Sequence, residues 1–319
     1  MRAEVRSDKA GPFLPVIENE TGQSPVLLVC EHASNALPAP WGNLGLSPDQ
    51  TRAHIAWDPG ALGLARGLAQ RLDATVIHAP VSRLIYDCNR APDMPGAMPT
   101  RSEVHDIPGN AAISAAERLA RTQAVYLPWA NGLHNLIAAR IALGRRPVIV
   151  TIHSFTPVFH GRPRAVEFGI IHDADPSLAR SILAASPQTG LNAQLNEPYS
   201  AADDVTHTLR LHATPYGLQN AMLEIRNDLI ATPQAEAAMA DRLAPVLAAA
   251  LREMLVGCLD AGAQDRAGGD DQHPDRHWRA SGAWPDARRQ TLARDLGARR
   301  QRPVARPRLG NVGALGHCF

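Results

Sequence analysis

Short, almost unbroken apolar runs alternate along this chain with alanine- and leucine-rich stretches of helical spacing, and that alternation limits the folds open to it. Pro25-Val26-Leu27-Leu28-Val29-Cys30 is apolar at nearly every position, as a strand covered on both faces must be. A helical stretch from Gly60 to Leu72 follows, and then Ala74-Thr75-Val76-Ile77-His78-Ala79, so the pieces make a β-helix-β unit. Further strands are expected at Leu84 to Cys88, Arg146 to Ile152, Val166 to Ile171 and Gln219 to Ile225. One or two long helices are expected over Ala115 to Leu143, one over Pro176 to Ala185, and a closing one over Gln234 to Leu255. Strands alternating with helices predict an α/β fold: a mixed, mostly parallel sheet with helices on both faces. No internal repeat is visible.

Composition changes character near residue 257. From Ala261 onward there are eleven Arg and six Asp, no Lys or Glu, and only scattered apolar residues, a net +5 against −4 for residues 1–260. Three parts are therefore expected: an N-terminal extension over 1–24, a folded α/β domain over 25–257, and an Arg-rich disordered tail over 258–319. A short basic helix over Pro285 to Gln301 lacks an apolar stripe. The tail has few aromatics beside Trp278 and Trp284, which argues against a stacking nucleic-acid surface. With 32 Lys+Arg against 31 Asp+Glu, whole-chain charge offers no reason to expect a nucleic-acid or membrane partner. Cys30, Cys88, Cys258 and Cys318 form no CxxC pair, so neither a disulfide framework nor a cysteine zinc site is indicated. The N-terminal residues show no apolar export segment, and no apolar run approaches the ~18 residues of a membrane span. The expectation is a cytoplasmic protein.

In such sheets ligands bind beyond the carboxyl ends of the strands, and there the polar residues are of reactive types. Glu31-His32-Ala33-Ser34-Asn35 follows the first run, His153-Ser154 follows Val148 to Ile152, and Asp58 enters a helix. Two histidines and an acidic residue can supply three ligands to a metal and leave a fourth position for water. Taken alone, the two histidines are equally compatible with structural roles, and Glu31 and His54 read as structural partners. Glu224 lies inside Ala221-Met222-Leu223-Glu224-Ile225, where burial penalises a carboxylate unless it faces a cavity or a cation. Period-two alternation puts it on one face with Met222, Arg226 and Asp228, so the alternative is a buried Glu224–Arg226 pair. Arg83, Asn89 and Arg90 are candidates for holding an anion, since arginine clasps a carboxylate with two parallel hydrogen bonds; the alternative is a turn with surface arginines.

Six segments in order resemble the N-formylglutamate amidohydrolase family: Glu31-His32-Ala33-Ser34-Asn35, His54 to Ala61, Ser82-Arg83 with Asp87-Cys88-Asn89-Arg90, Thr151 to Phe155, Asn196-Glu197-Pro198-Tyr199-Ser200, and Leu223 to Leu229. The resemblance covers about Pro25 to Leu255. That family is similar in fold to zinc carboxypeptidases, which implies a three-layer α/β/α, phosphorylase/hydrolase-like architecture and metal-dependent amide hydrolysis. The resemblance further implies His32 and His153 as metal ligands, with Asp58 as the third. It places Glu224 as general base, and Asn89-Arg90, with Arg83, as the clamp for a substrate carboxylate. The implied cofactor is a divalent metal, zinc by family habit, and the implied partner is a small N-acyl amino acid. The rival from another class is a non-catalytic α/β domain that binds an acidic metabolite. Two departures stand out: the carboxypeptidase HxxE motif reads here His32-Ala33-Ser34-Asn35, and Asp203 to Leu209 replaces an expected Gly-Val-Thr-Tyr-like segment.

Overall fold

The apolar runs become the central strands of one seven-stranded sheet. A computed structural model describes residues 12–267, with side chains described through Glu253. The strands are β1 (Val16–Glu18), β2 (Val26–Cys30), β3 (Thr75–His78), β4 (Val148–Phe155), β5 (Phe168–Ile171), β6 (Ala193–Leu195) and β7 (Asn220–Arg226). Their order across the sheet is β1-β3-β2-β4-β7-β5-β6. β2, β3, β4 and β7 run parallel, β1 and β5 are antiparallel to their neighbours β3 and β7, and β6 is parallel to β5.

Helices α1 (Ala61–Leu72), α3 (Ser177–Ala185) and α5 (Pro233–Ala267) cover one face, where Leu28, Ile152 and Leu223 are buried. Helices α2 (Leu127–Ala142) and α4 (His207–His212) cover the other, over Leu27, Ile149 and Met222. Because adjacent residues of a strand point to opposite faces, covering both is what requires an unbroken apolar run. The result is the expected α/β/α sandwich. Among the described residues no helix is long and apolar enough to cross a membrane.

Several boundaries differ from expectation. Leu84 to Cys88 forms turns and not a strand, because the sheet position beside β3 is taken by β1; Leu84, Ile85 and Tyr86 are instead buried in the second core. β1 itself comes from the segment read as an extension, and Glu18 anchors it through Arg66 at 2.6 Å. Ala115 to Leu143 is two helices joined by a π-helical turn at Thr122–Tyr126. The closing helix runs past the expected boundary at 257, as far as Ala267. The tail beyond it, with the basic segment Pro285 to Gln301, lies outside the described residues.

After β6 the chain reverses at Asn196, whose φ is 54°, and its amide donates to the Ile170 carbonyl. The return path brings the Glu197 carbonyl onto Gly169, where a Cβ would collide with that oxygen and lie 3.1 Å from the Cβ of Glu224. Gly169 pairs with Glu224 across the β5–β7 ladder, so the missing side chain leaves room for the Glu197-Pro198-Tyr199 segment on the sheet. Gly169→Ala is expected to destabilise by about 1–3 kcal/mol through overpacking, read as a lower denaturation midpoint with an unchanged slope.

Candidate active site

The chemistry-bearing residues meet beyond the carboxyl ends of β2, β4 and β7. His153 on β4 and Glu224 on β7 are register partners, which puts their Cα atoms roughly 5 Å apart on one face. Glu31 and His32 follow β2 directly. Asp58 arrives from the turn before α1, where its amide donates to the His32 carbonyl at 2.9 Å. Gly60 makes that turn possible: its φ is +80°, and a Cβ there would meet the Ile230 backbone.

His32, Asp58 and His153 are all buried, and one atom from each forms a small triangle. Asp58 Oδ2 lies 3.2 Å from His32 Nδ1 and 2.9 Å from His153 Nδ1, and the two Nδ1 atoms are 3.2 Å apart. The other ring nitrogens face carboxylates. His32 Nε2 donates to Asp87 Oδ1 at 2.7 Å, and His153 Nε2 lies 3.2 Å from Glu31 Oε2, too oblique for a full hydrogen bond. Carboxylates on Nε2 hold the proton there and leave Nδ1 with its lone pair. Three electron-rich atoms converge this closely only with positive charge among them, whether protons or a cation. The spacing suits a metal: bonds of about 2.0–2.1 Å at tetrahedral angles separate ligand atoms by about 3.3 Å. Without one, the facing carboxylates favour the protonated form of both histidines. Burial and Arg83 oppose this at His32, but Asp87 and Asp58 outweigh them and raise its pKa. At His153 burial again opposes, and Glu31 and Asp58 prevail. Asn35, in the place of the carboxypeptidase glutamate, points away and donates to the Thr51 carbonyl.

The three anion-binding candidates part company. Arg83 donates to Asp58 Oδ1 at 3.2 Å and to Asp87 Oδ2 at 2.8 Å, so its guanidinium is engaged in holding these two buried carboxylates. The Asn89 side chain is buried and engaged at both ends, donating to the Val205 carbonyl and accepting from the Thr208 amide at the start of α4. Arg90 lines the same cavity as the triad, its side chain donates to the Asn89 carbonyl at 2.9 Å, and no carboxylate pairs with it among the described residues.

Glu224 is not paired with Arg226, which turns instead to Asp228 and Glu167. Its Oε2 is buried with no hydrogen-bond partner. Burial is the main reason that its pKa is raised to about 7, with the Asp58 charge adding to it and His153 opposing. Triad, Glu224, Arg83 and Arg90 line one cavity of about 210 Å³, small for a ligand site and suited to an amino-acid-sized molecule. Sequence reasoning set Glu31 aside as a structural partner and gave Asp87 no role. It also passed over Tyr199, which lines the cavity; its one signal was its place in an ordered motif.

Comparison with known proteins agrees with the resemblance read from the sequence. The N-formylglutamate amidohydrolase family model matches residues 24–231. A gene product of Agrobacterium tumefaciens of known crystal structure is 51% identical, with a TM-score of 0.75 over 77% of this chain and 97% of that one. The N-formylglutamate amidohydrolase of Ralstonia eutropha is 18% identical, with a TM-score of 0.56 over 74% of this chain and 96% of that one, a likeness of fold. No curated protein matches. By the extent of the family match, which covers the central strands and every cavity residue from His32 to Glu224, the chain belongs to the N-formylglutamate amidohydrolase family.

Proposed function

We infer that this amidohydrolase is metal-dependent and cleaves an N-acyl amino acid with a free carboxylate, N-formylglutamate being the type case. The observation that carries the reading is the convergence of three lone-pair donors beside an unpaired buried carboxylate in one small cavity. His32, Asp58 and His153 would hold the ion, zinc by the character of two imidazoles and one carboxylate. A divalent cation supplies Lewis acidity toward the amide carbonyl and the attacking water.

The chain's own residues do the rest. Glu224 takes a proton from the water as its oxygen bonds to the acyl carbon, then returns it to the nitrogen as the C–N bond breaks. The products are the carboxylic acid and the free amine, formate and glutamate for the type substrate. A carboxyl with a pKa of about 7 suits both transfers, and a cation in the triad lowers it toward full readiness as a base. Arg90 would hold the substrate carboxylate and fix the amide over the triad. Arg83 keeps Asp58 turned so that one oxygen faces the histidines.

Purified protein is expected to bind about one divalent ion per chain, with loading that falls at acid pH because the histidines must release their protons. His32→Ala and His153→Ala should each lose it by metal analysis, and retention in the double variant would defeat the assignment.

Glu224→Gln should keep the metal and lose about 10²–10⁴ in kcat. It also has a stability signature in metal-free protein. With a folded pKa near 7, above the ordinary 4.5, the native state binds the Glu224 proton more tightly, so wild-type stability declines between pH 4.5 and 7 and stays lower above it. Glutamine has no such penalty. Metal-free Glu224→Gln should therefore be the more stable form at pH 8, by up to roughly 3 kcal/mol, with the gap narrowing toward pH 4.5. A less stable variant at pH 8 would contradict the buried, unpaired carboxylate.

Arg90→Gln should raise KM for substrates with a free carboxylate and leave an amide-capped analogue little changed. Equal losses on both would mean that Arg90 supports structure.

A further inference from the structure

Part of the cavity wall has no role in the hydrolytic mechanism: Phe155, Phe159 and Tyr199. Arg164 binds these three rings together. Its guanidinium carbon lies 4.2 Å from the ring centre of Phe159, 4.9 Å from that of Tyr199 and 5.5 Å from that of Phe155. Cation–π contact with three rings fixes a guanidinium firmly, and among the described residues no carboxylate neutralises it. The Arg164 amide also closes the short hairpin of Val158–Phe159 and Arg162–Pro163 by donating to the Pro157 carbonyl at 2.8 Å.

What this assembly delivers is the Tyr199 hydroxyl. Arg164 Nη2 donates to that oxygen at 3.0 Å. A phenol that accepts through its oxygen keeps its own proton for another acceptor, and among the described residues no side chain or carbonyl takes it. Burial and the Glu224 charge raise the pKa of the phenol against the opposing charges of Arg164 and Arg83, so the hydroxyl keeps its proton. Tyr199 lines the same cavity as the base and the triad. It reaches there because Gly169 lets the Glu197 to Tyr199 segment lie on the sheet.

From this geometry we propose that Tyr199 is a further catalytic residue, donating a hydrogen bond to the substrate's acyl oxygen as negative charge grows on it, with Arg164 as the positioning residue that aims and polarises the hydroxyl. The proposal rests on the amidohydrolase reading. A donor without a partner in the resting site gains most where charge develops, so its contribution falls on kcat more than on KM. Tyr199 keeps its proton throughout, and no bond to it is made or broken.

Tyr199→Phe keeps the ring against Arg164 and removes only the hydroxyl. In metal-loaded full-length protein turning over N-formylglutamate, kcat should fall about 10²-fold with KM within about threefold, and metal content and melting temperature unchanged. Arg164→Met should also lower kcat, and the double variant should be no slower than Tyr199→Phe alone, because Arg164 acts through a hydroxyl already removed. Arg164→Lys should recover part of the rate. An unchanged kcat in Tyr199→Phe, a loss confined to KM, or multiplying losses in the double variant would each overturn the assignment while leaving the amidohydrolase reading intact. If Arg164→Met does not fold, Tyr199→Phe decides alone. A wild-type protein inactive on every N-acyl amino acid overturns the reading itself, and the role of Tyr199 with it.

Discussion

A closed ring of charge, buried at His32, Asp58 and Asp87 and partly exposed at Arg83, organises this molecule: His32 to Asp87, Asp87 to Arg83, Arg83 to Asp58, and Asp58 back to His32. Each carboxylate uses one oxygen for a histidine and the other for Arg83. A buried charge without partners is strongly destabilising, so none of the four is free to change alone. The ring joins the end of β2, the turn before α1 and the Arg83 to Asp87 turns, three segments with no sheet pairing between them at this point. His153 then connects the ring to β4 through Asp58 Oδ2. Neither burial nor charge alone sets the behaviour of Asp58: burial works against its ionisation, and His32, His153 and Arg83 together hold its pKa far below the usual range.

Much of this was legible in the sequence, for an identifiable reason. A strand covered on both faces announces itself by apolar continuity, so β2, β4 and β7 and their terminal His32, His153 and Glu224 could be placed without coordinates. Asp58 was legible from its position ahead of a helix and from its motif. The contacts that tie Asp87 to His32 and Arg83 to Asp58 were not, because these partners are distant in sequence and no local pattern encodes such a contact. Leu84-Ile85-Tyr86 has the composition of a strand, but composition records burial and not pairing, and the adjoining sheet position went to three residues of the N-terminal segment. Asn89 shows the same limit: its type suits a substrate clamp, while the fold uses it to anchor the start of α4.

The mixed direction of the sheet also shapes the cavity. In a wholly parallel sheet the walls of a site are loops leaving strand ends. Here β5 runs against β7, so the residues after β6 must double back across the sheet surface to reach the cavity. That path requires a strand position with no side chain, which Gly169 provides. The segment so laid down meets Arg164, whose carbonyl in turn accepts from Arg226 at the end of β7. Arg226 thus supports the wall beside Glu224 and leaves the carboxylate itself unpaired.

The shortness of β1 and β6, three residues each, has a consequence for how the protein behaves at high concentration. The margins of a sheet carry unpaired amides and carbonyls that can recruit another chain, and long flat margins do so most readily. Both margins of this sheet are too brief to template such growth. One of them also carries the ionised side chain of Glu18, clasped by Arg66, and the other has Gln194 exposed on its middle residue. The long, strongly apolar strands that build the site are all interior, where their capacity for self-association is already satisfied by their neighbours.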